Sequence, residues 1–139
     1  MRSFLFLFVL LGASLAAQSA ARPSDVVANG TSFVGKRASW VGKRIRISTT
    51  QLNGQRVITN RVFALVDAQG KEDRSQIFAV EGNVTETEAA QTLNTSKDDP
   101  GIRRASGTVG SVGEIEIYVD GKPATVKGPR LTGATLDAK

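Results

Sequence analysis

The sequence predicts an all-β fold, a small five- to six-stranded barrel that carries one short helix. Three observations predict it. The segments Arg44–Thr49 and Glu114–Val119 alternate apolar and polar residues with the period of a half-buried strand. The dipeptides Asn53-Gly54 and Asp120-Gly121 have the positive-φ chemistry of tight hairpins. One helix start stands out, Thr85-x-x-Glu88, where the hydroxyl accepts from a first-turn amide and the glutamate reaches back.

The elements follow in order. Arg2, the unbroken apolar run Phe4–Leu11 and the small residues through Ala16, Ala17, Ser19 and Ala21 form the pattern of a secretory signal peptide over residues 1–20. Cleavage after Ala16, Ala17, Ser19 or Ala21 fits it. The apolar core is shorter than the roughly 20 residues of a membrane-crossing helix, so no stable membrane span is expected after cleavage. Residues 21–33 lack strong periodicity and read as a flexible tether, 34–127 as one barrel domain, and 128–139 as a flexible Gly-, Thr- and Ala-rich tail.

Within the domain, Val34-Gly35-Lys36-Arg37 and Val41-Gly42-Lys43-Arg44 echo one another and read as a turn leading into strand one. That strand sets Ile45 and Ile47 on one face and Arg44 and Arg46 on the other. Strand two, 57–66, is apolar on both faces, which predicts a bulge near Asn60 or burial on both sides. A polar loop over 68–73 precedes strand three, Ile77–Val80. The helix is expected over about 86–95, ended by Asp98-Asp99-Pro100-Gly101. Ile102–Val109 reads as strand four with a bend at Gly107, Gly110–Gly113 as a turn and Glu114–Val119 as strand five. Ala124–Lys127 is the candidate sixth.

Three strands, a short helix and two more strands, entered through Gly42-Lys43-Arg44-Ile45-Arg46-Ile47, resemble the OB-fold over residues 41–119. The resemblance implies a five-stranded Greek-key barrel with strands one and four adjacent. The rival is a different small barrel or a β-sandwich.

Histidine and cysteine are both absent. Their absence excludes Ser-His-Asp and Cys-His nucleophile arrangements, histidine bases, and the usual zinc sites. Glu114 and Glu116 share a strand face, which reads as the solvated side of a strand whose other side is Ile115, Ile117 and Val119. Asp98-Asp99 lacks the spacing of a calcium loop, and Gly107-x-x-Gly110-x-x-Gly113 lacks that of a phosphate loop. The expectation is a protein that is not an enzyme and uses no cofactor and no metal.

The chain has 18 Lys and Arg against 13 Asp and Glu, a net charge of +5. Removal of the leader takes only Arg2 among charged residues. The absence of cysteine in an exported protein favours a bacterial periplasm or exterior. Three Asn-x-Ser/Thr triplets, at Asn29, Asn83 and Asn94, are the contrary sign.

Positive charge concentrates early, at Lys36, Arg37, Lys43, Arg44, Arg46, Arg56 and Arg61, with Arg103 and Arg104 later. Trp40, Lys43, Arg44, Arg46, Arg61 and Arg104 are therefore the candidate ligand-binding residues, a basic barrel face with an aromatic at its edge beside Phe33. The expected function is an exported non-catalytic binding module for an acidic ligand: nucleic acid, an anionic glycan or lipid head groups. The alternative is a protein–protein interaction module of the cell envelope or extracellular space.

Overall fold

The computed structural model describes residues 21–85 and 101–138. Five strands run β1 (Arg37–Leu52), β2 (Gln55–Val66), β3 (Glu72–Thr85), β4 (Ile102–Val119) and β5 (Lys122–Ala138). They close a barrel in the order β1-β2-β3-β5-β4, with β1 returning to β4. The β3–β5 pair is parallel and the other pairs are antiparallel. The fold is all-β, a small closed five-stranded barrel consistent with an OB-like fold.

The described helix, α1 (Pro23–Ala28), lies before β1 and not between the third and fourth strands. It occupies the segment expected to be a tether. Pro23 at the first helical position has a preset φ, and the Asp25 carboxylate accepts from the Arg22 amide at 2.9 Å. Six residues are too few to show a helical period, so only these end signals were available in the sequence. A 3-10 turn, Gly30–Phe33, links α1 to the barrel. The helix expected over 86–95, with its Glu88 cap, and the pair Asp98-Asp99 lie outside the described residues.

Both hairpin dipeptides form the expected turns. Asn53 and Gly54 have φ of 53° and 77°, and Asp120 and Gly121 of 52° and 76°. The expected turn at 110–113 is absent: β4 is one strand of 18 residues. Register shifts between Ser106 and Thr108 and between Val109 and Ser111 show that Gly107 and Gly110 mark bulges, which coil the strand without ending it. The segment read as a tail is likewise strand, because pairing with β4 runs from Lys122 opposite Val119 to Ala138 opposite Arg103. Tertiary pairing overrides the weak strand propensity of Gly, Pro and Ala here.

Two apolar clusters flank the β2–β3 wall. The first fills the barrel with Trp40, Ile58, Phe63, Phe78, Val80, Ala105, Val109 and Leu131, and Val26 of α1 joins it. Phe63 stacks on Phe78 at 5.4 Å between ring centroids, and Trp40 tilts against Phe78 at 5.2 Å. α1 therefore plugs one end of the barrel. Gln76 clamps that plug, accepting from the Ser24 amide at 2.9 Å and donating to the Ser24 hydroxyl at 2.8 Å.

The second cluster lies on the other side of the wall and contains Val62, Ala64, Ile77, Ala79, Ile115 and Ile117, with Ile45, Ala124 and Val126 packed against it. The far ends of β4 and β5 thus form an arm that lies across the outside of β2 and β3. Gly128 permits the crossing: a Cβ there would stand 2.5 Å from the Ile77 carbonyl oxygen. This explains why β2 is apolar on both faces, and the predicted irregularity near Asn60 is present as a register shift between Ile58 and Asn60. Among the described residues no helix is long and apolar enough to cross a membrane.

Candidate functional site

The structure divides the six candidate residues into three groups. Trp40 is core: it is 6% exposed, and its indole N–H donates to the Ala21 carbonyl at 2.8 Å. It offers no exposed stacking platform, which corrects the expectation of an aromatic on the barrel surface.

Arg44 and Arg61 form the second group. Arg44 pairs in register with Phe63, a residue of the barrel core, whereas Arg46 pairs with Val62 of the outer cluster. A bulge at Ile45 separates them, so Arg44 and Arg46 lie on opposite faces. The expected shared face does not exist, and the expected isoleucine pair splits too: Ile45 packs into the outer cluster while Ile47 is 40% exposed. Arg61 pairs with Val80 and is buried at 6% exposure, with no partner for its Nε. Burial lowers the Arg61 pKa from its ordinary value by penalising the charged form. The Arg44 Nη1 is also buried without a partner. Arg61 presents no free cation to a large ligand, and Arg44 is half-buried with that one nitrogen enclosed.

Lys43, Arg46 and Arg104 make the third group, on the barrel exterior. Trp40 and Ala105 oppose each other and are both buried in the barrel core. Alternation therefore turns Ser39, Val41 and Lys43 of β1 outward, together with Ile102, Arg104 and Ser106 of β4. Val41 pairs with Arg104 and Lys43 with Ile102, so the two cations are diagonal neighbours on one face. The expected adjacency of strands one and four is present. Arg104 Nη1 donates to the Ser39 hydroxyl at 3.3 Å, and Ser39 and Ser106 share a hydrogen bond at 2.9 Å. The paired stretches 37–43 and 102–108 contain no acidic residue. Asp137 of β5 stands opposite Arg104 and bounds the basic patch on that side.

Arg46 is committed to the arm. Its Nη1 donates to the Glu116 carbonyl at 3.0 Å and lies 3.4 Å from that residue's carboxylate. Its guanidinium carbon sits 5.1 Å from the Tyr118 ring centroid. Arg74 donates to the Tyr118 carbonyl at 3.2 Å, and Arg130 donates to the Glu114 carbonyl and pairs with Glu81 at 3.1 Å. Three arginines thus tie the arm down. Glu114 and Glu116 are exposed and Ile115 and Ile117 buried, as the alternation predicts, but Val119 is 45% exposed beside Tyr118 at 49%.

A cleft of about 360 Å³ opens where the N-terminal segment meets β1 and β4. Val26, Phe33, Ala38, Trp40 and Val109 supply apolar lining, and Arg37, Ser39 and Ser106 polar lining. The Lys36 ammonium lies 5.7 Å from the Phe33 ring centroid. Sequence reasoning put Phe33 and Trp40 beside basic residues but missed the cleft, because it is made by α1. No protein-family model, curated protein or solved structure matches this chain.

Proposed function

We propose that the protein is an exported, non-catalytic binding module of OB type that holds an acidic ligand on the outer face of β1 and β4. The carrying observation is the diagonal pair Lys43 and Arg104 on one exterior face, beside the Ser39 and Ser106 hydroxyls, in strand stretches with no carboxylate. Cations and hydroxyls on a regular strand lattice suit a repeating anionic polymer, which they contact through phosphate, sulfate or carboxylate oxygens. The burial of Trp40 takes away the stacking partner that single-stranded nucleic acid prefers. An anionic glycan is therefore the ligand class this face fits.

Retention on heparin resin across a salt gradient tests the reading. The protein is expected to stay bound beyond physiological salt, and the double variant Lys43→Glu, Arg104→Glu to elute well before it. Elution of the unmodified protein at or below physiological salt would refute the proposal. A second reading, a protein-interaction module, draws on the exposed Tyr118 and Val119 at the arm tip. It predicts binding that salt leaves unchanged and that Tyr118→Ala abolishes.

Export through cleavage of residues 1–20 belongs to the same proposal. The Ala21 carbonyl accepts the buried Trp40 N–H, so a cut that leaves Ala21 on the chain keeps that donor satisfied. N-terminal sequencing of the exported protein is expected to find Ala21 or an earlier residue first. A chain beginning at Arg22 would contradict this.

A further inference from the structure

We propose that the cleft between α1 and the β1–β4 side of the barrel binds a small amphiphilic carboxylate, in form a medium-chain fatty acid. This goes beyond the exterior-face reading: the two sites share the Ser39 and Ser106 hydroxyls but take their charge from different cations, Arg37 here and Lys43 and Arg104 there. The cleft volume of about 360 Å³ lies within the range of small-ligand sites, roughly 300–1,000 Å³. It equals about twelve times the roughly 30 Å³ share of a water molecule in the liquid, which leaves room for about ten methylene-sized groups.

Its chemistry selects the ligand. Val26, Phe33, Trp40 and Val109 form an apolar wall. The only polar atom of the Trp40 ring is already satisfied by Ala21, so the ring turns no unpaired donor toward an occupant. Arg37 lines the same cleft, and Lys36 stands over the Phe33 ring. Among the described residues no Asp or Glu lines it. An apolar wall beside two cations fits a ligand with a hydrocarbon body and one negative end. A neutral lipid forgoes the charge contact, and a sulfated or phosphorylated polymer has no body to place against the wall. The planar Arg37 guanidinium suits a carboxylate, which it can meet with two parallel hydrogen bonds.

Trp40 is the sole tryptophan of the chain, so its emission reports directly on the cleft. The test titrates purified protein with decanoate and, in parallel, with decanol, both below their aggregation concentrations. A saturable change in Trp40 emission with decanoate is expected, with about tenfold weaker binding of decanol. Arg37 is exposed, so Arg37→Glu is expected to melt like the parent and to bind decanoate about tenfold more weakly. The variant Lys43→Glu, which weakens the exterior face and changes no residue at the cleft, is expected to bind decanoate as the parent does. That arm separates failure of this site from failure of the other. No saturable change, equal binding of decanol and decanoate, or unaltered binding by Arg37→Glu would each overturn the proposal.

Discussion

At the scale of single residues, a charge is available to a ligand only where the fold leaves it outside. Arg61 and Arg104 look alike in sequence, yet one is buried and the other exposed. Arg61→Met keeps the aliphatic stem and removes a buried guanidinium whose Nε is unpaired. It is expected to change stability by no more than about 1 kcal/mol in either direction, because replacing a buried charge by an apolar group of similar shape is often neutral or better. Urea denaturation checks this, and heparin retention should not move. Asp73 offers a second residue-scale prediction. The Ser75 hydroxyl donates to its carboxylate at 2.6 Å and the Ser75 amide at 3.0 Å, with Arg22 3.3 Å away. The Ser75 hydroxyl and amide, with Arg22 adding less, lower the Asp73 pKa below its ordinary value of 3.8. A depressed folded pKa means that the contribution to stability is full above the unfolded value and is lost as pH falls through the folded one. NMR titration should therefore find Asp73 more than half ionised at pH 3.8, and Ser75→Ala should raise its midpoint.

At the scale of elements, legibility depended on whether local chemistry or tertiary pairing made the decision. The Asn53-Gly54 and Asp120-Gly121 turns were legible because positive φ is a demand on the residue itself. The two-sided burial of β2 was legible because both of its faces are apolar. The bulge at Ile45 was not, since Arg-Ile-Arg-Ile reads as unbroken alternation and no glycine or proline marks the break. Nor was the continuity of β4 legible, because a bulge and a turn both call for glycine. The basic face was half readable: Arg104 lies beside strand one as the expected adjacency requires, but strict alternation sets Lys43 on the face of Ile45, away from Arg44, and the Ile45 bulge separates Arg44 from Arg46. The arm supplies a test at this scale. Gly128→Val drives a side chain into the Ile77 carbonyl and the Ile115 Cδ1. It is expected to cost about 2–3 kcal/mol through overpacking, read as a lower urea midpoint.

At the scale of the molecule, a chain with no cysteine relies on burial alone, and it doubles its burial by using one wall twice. The N-terminal plug extends the same economy. Val26 of a six-residue helix is 1% exposed and reaches the barrel core. Val26→Asp leaves an unpaired carboxylate there and is expected to cost about 3 kcal/mol or more. Urea unfolding would show the loss, and Trp40 emission would shift to longer wavelength as water reaches the indole. An unshifted spectrum and an unchanged midpoint would mean that α1 does not close the barrel.

The arm that crosses the β2–β3 wall also sets the order in which backbone protons meet deuterium. Amides of β2 and β3 near Phe63 and Phe78 sit between two dry layers, so they should trade their protons only when the whole molecule opens. The outer edge of β5 over 122–127 pairs only with β4, so its amides should trade first. The protein would then fray from its C-terminal hairpin inward, and the last structure to go would be the strand pair in the middle of the sequence.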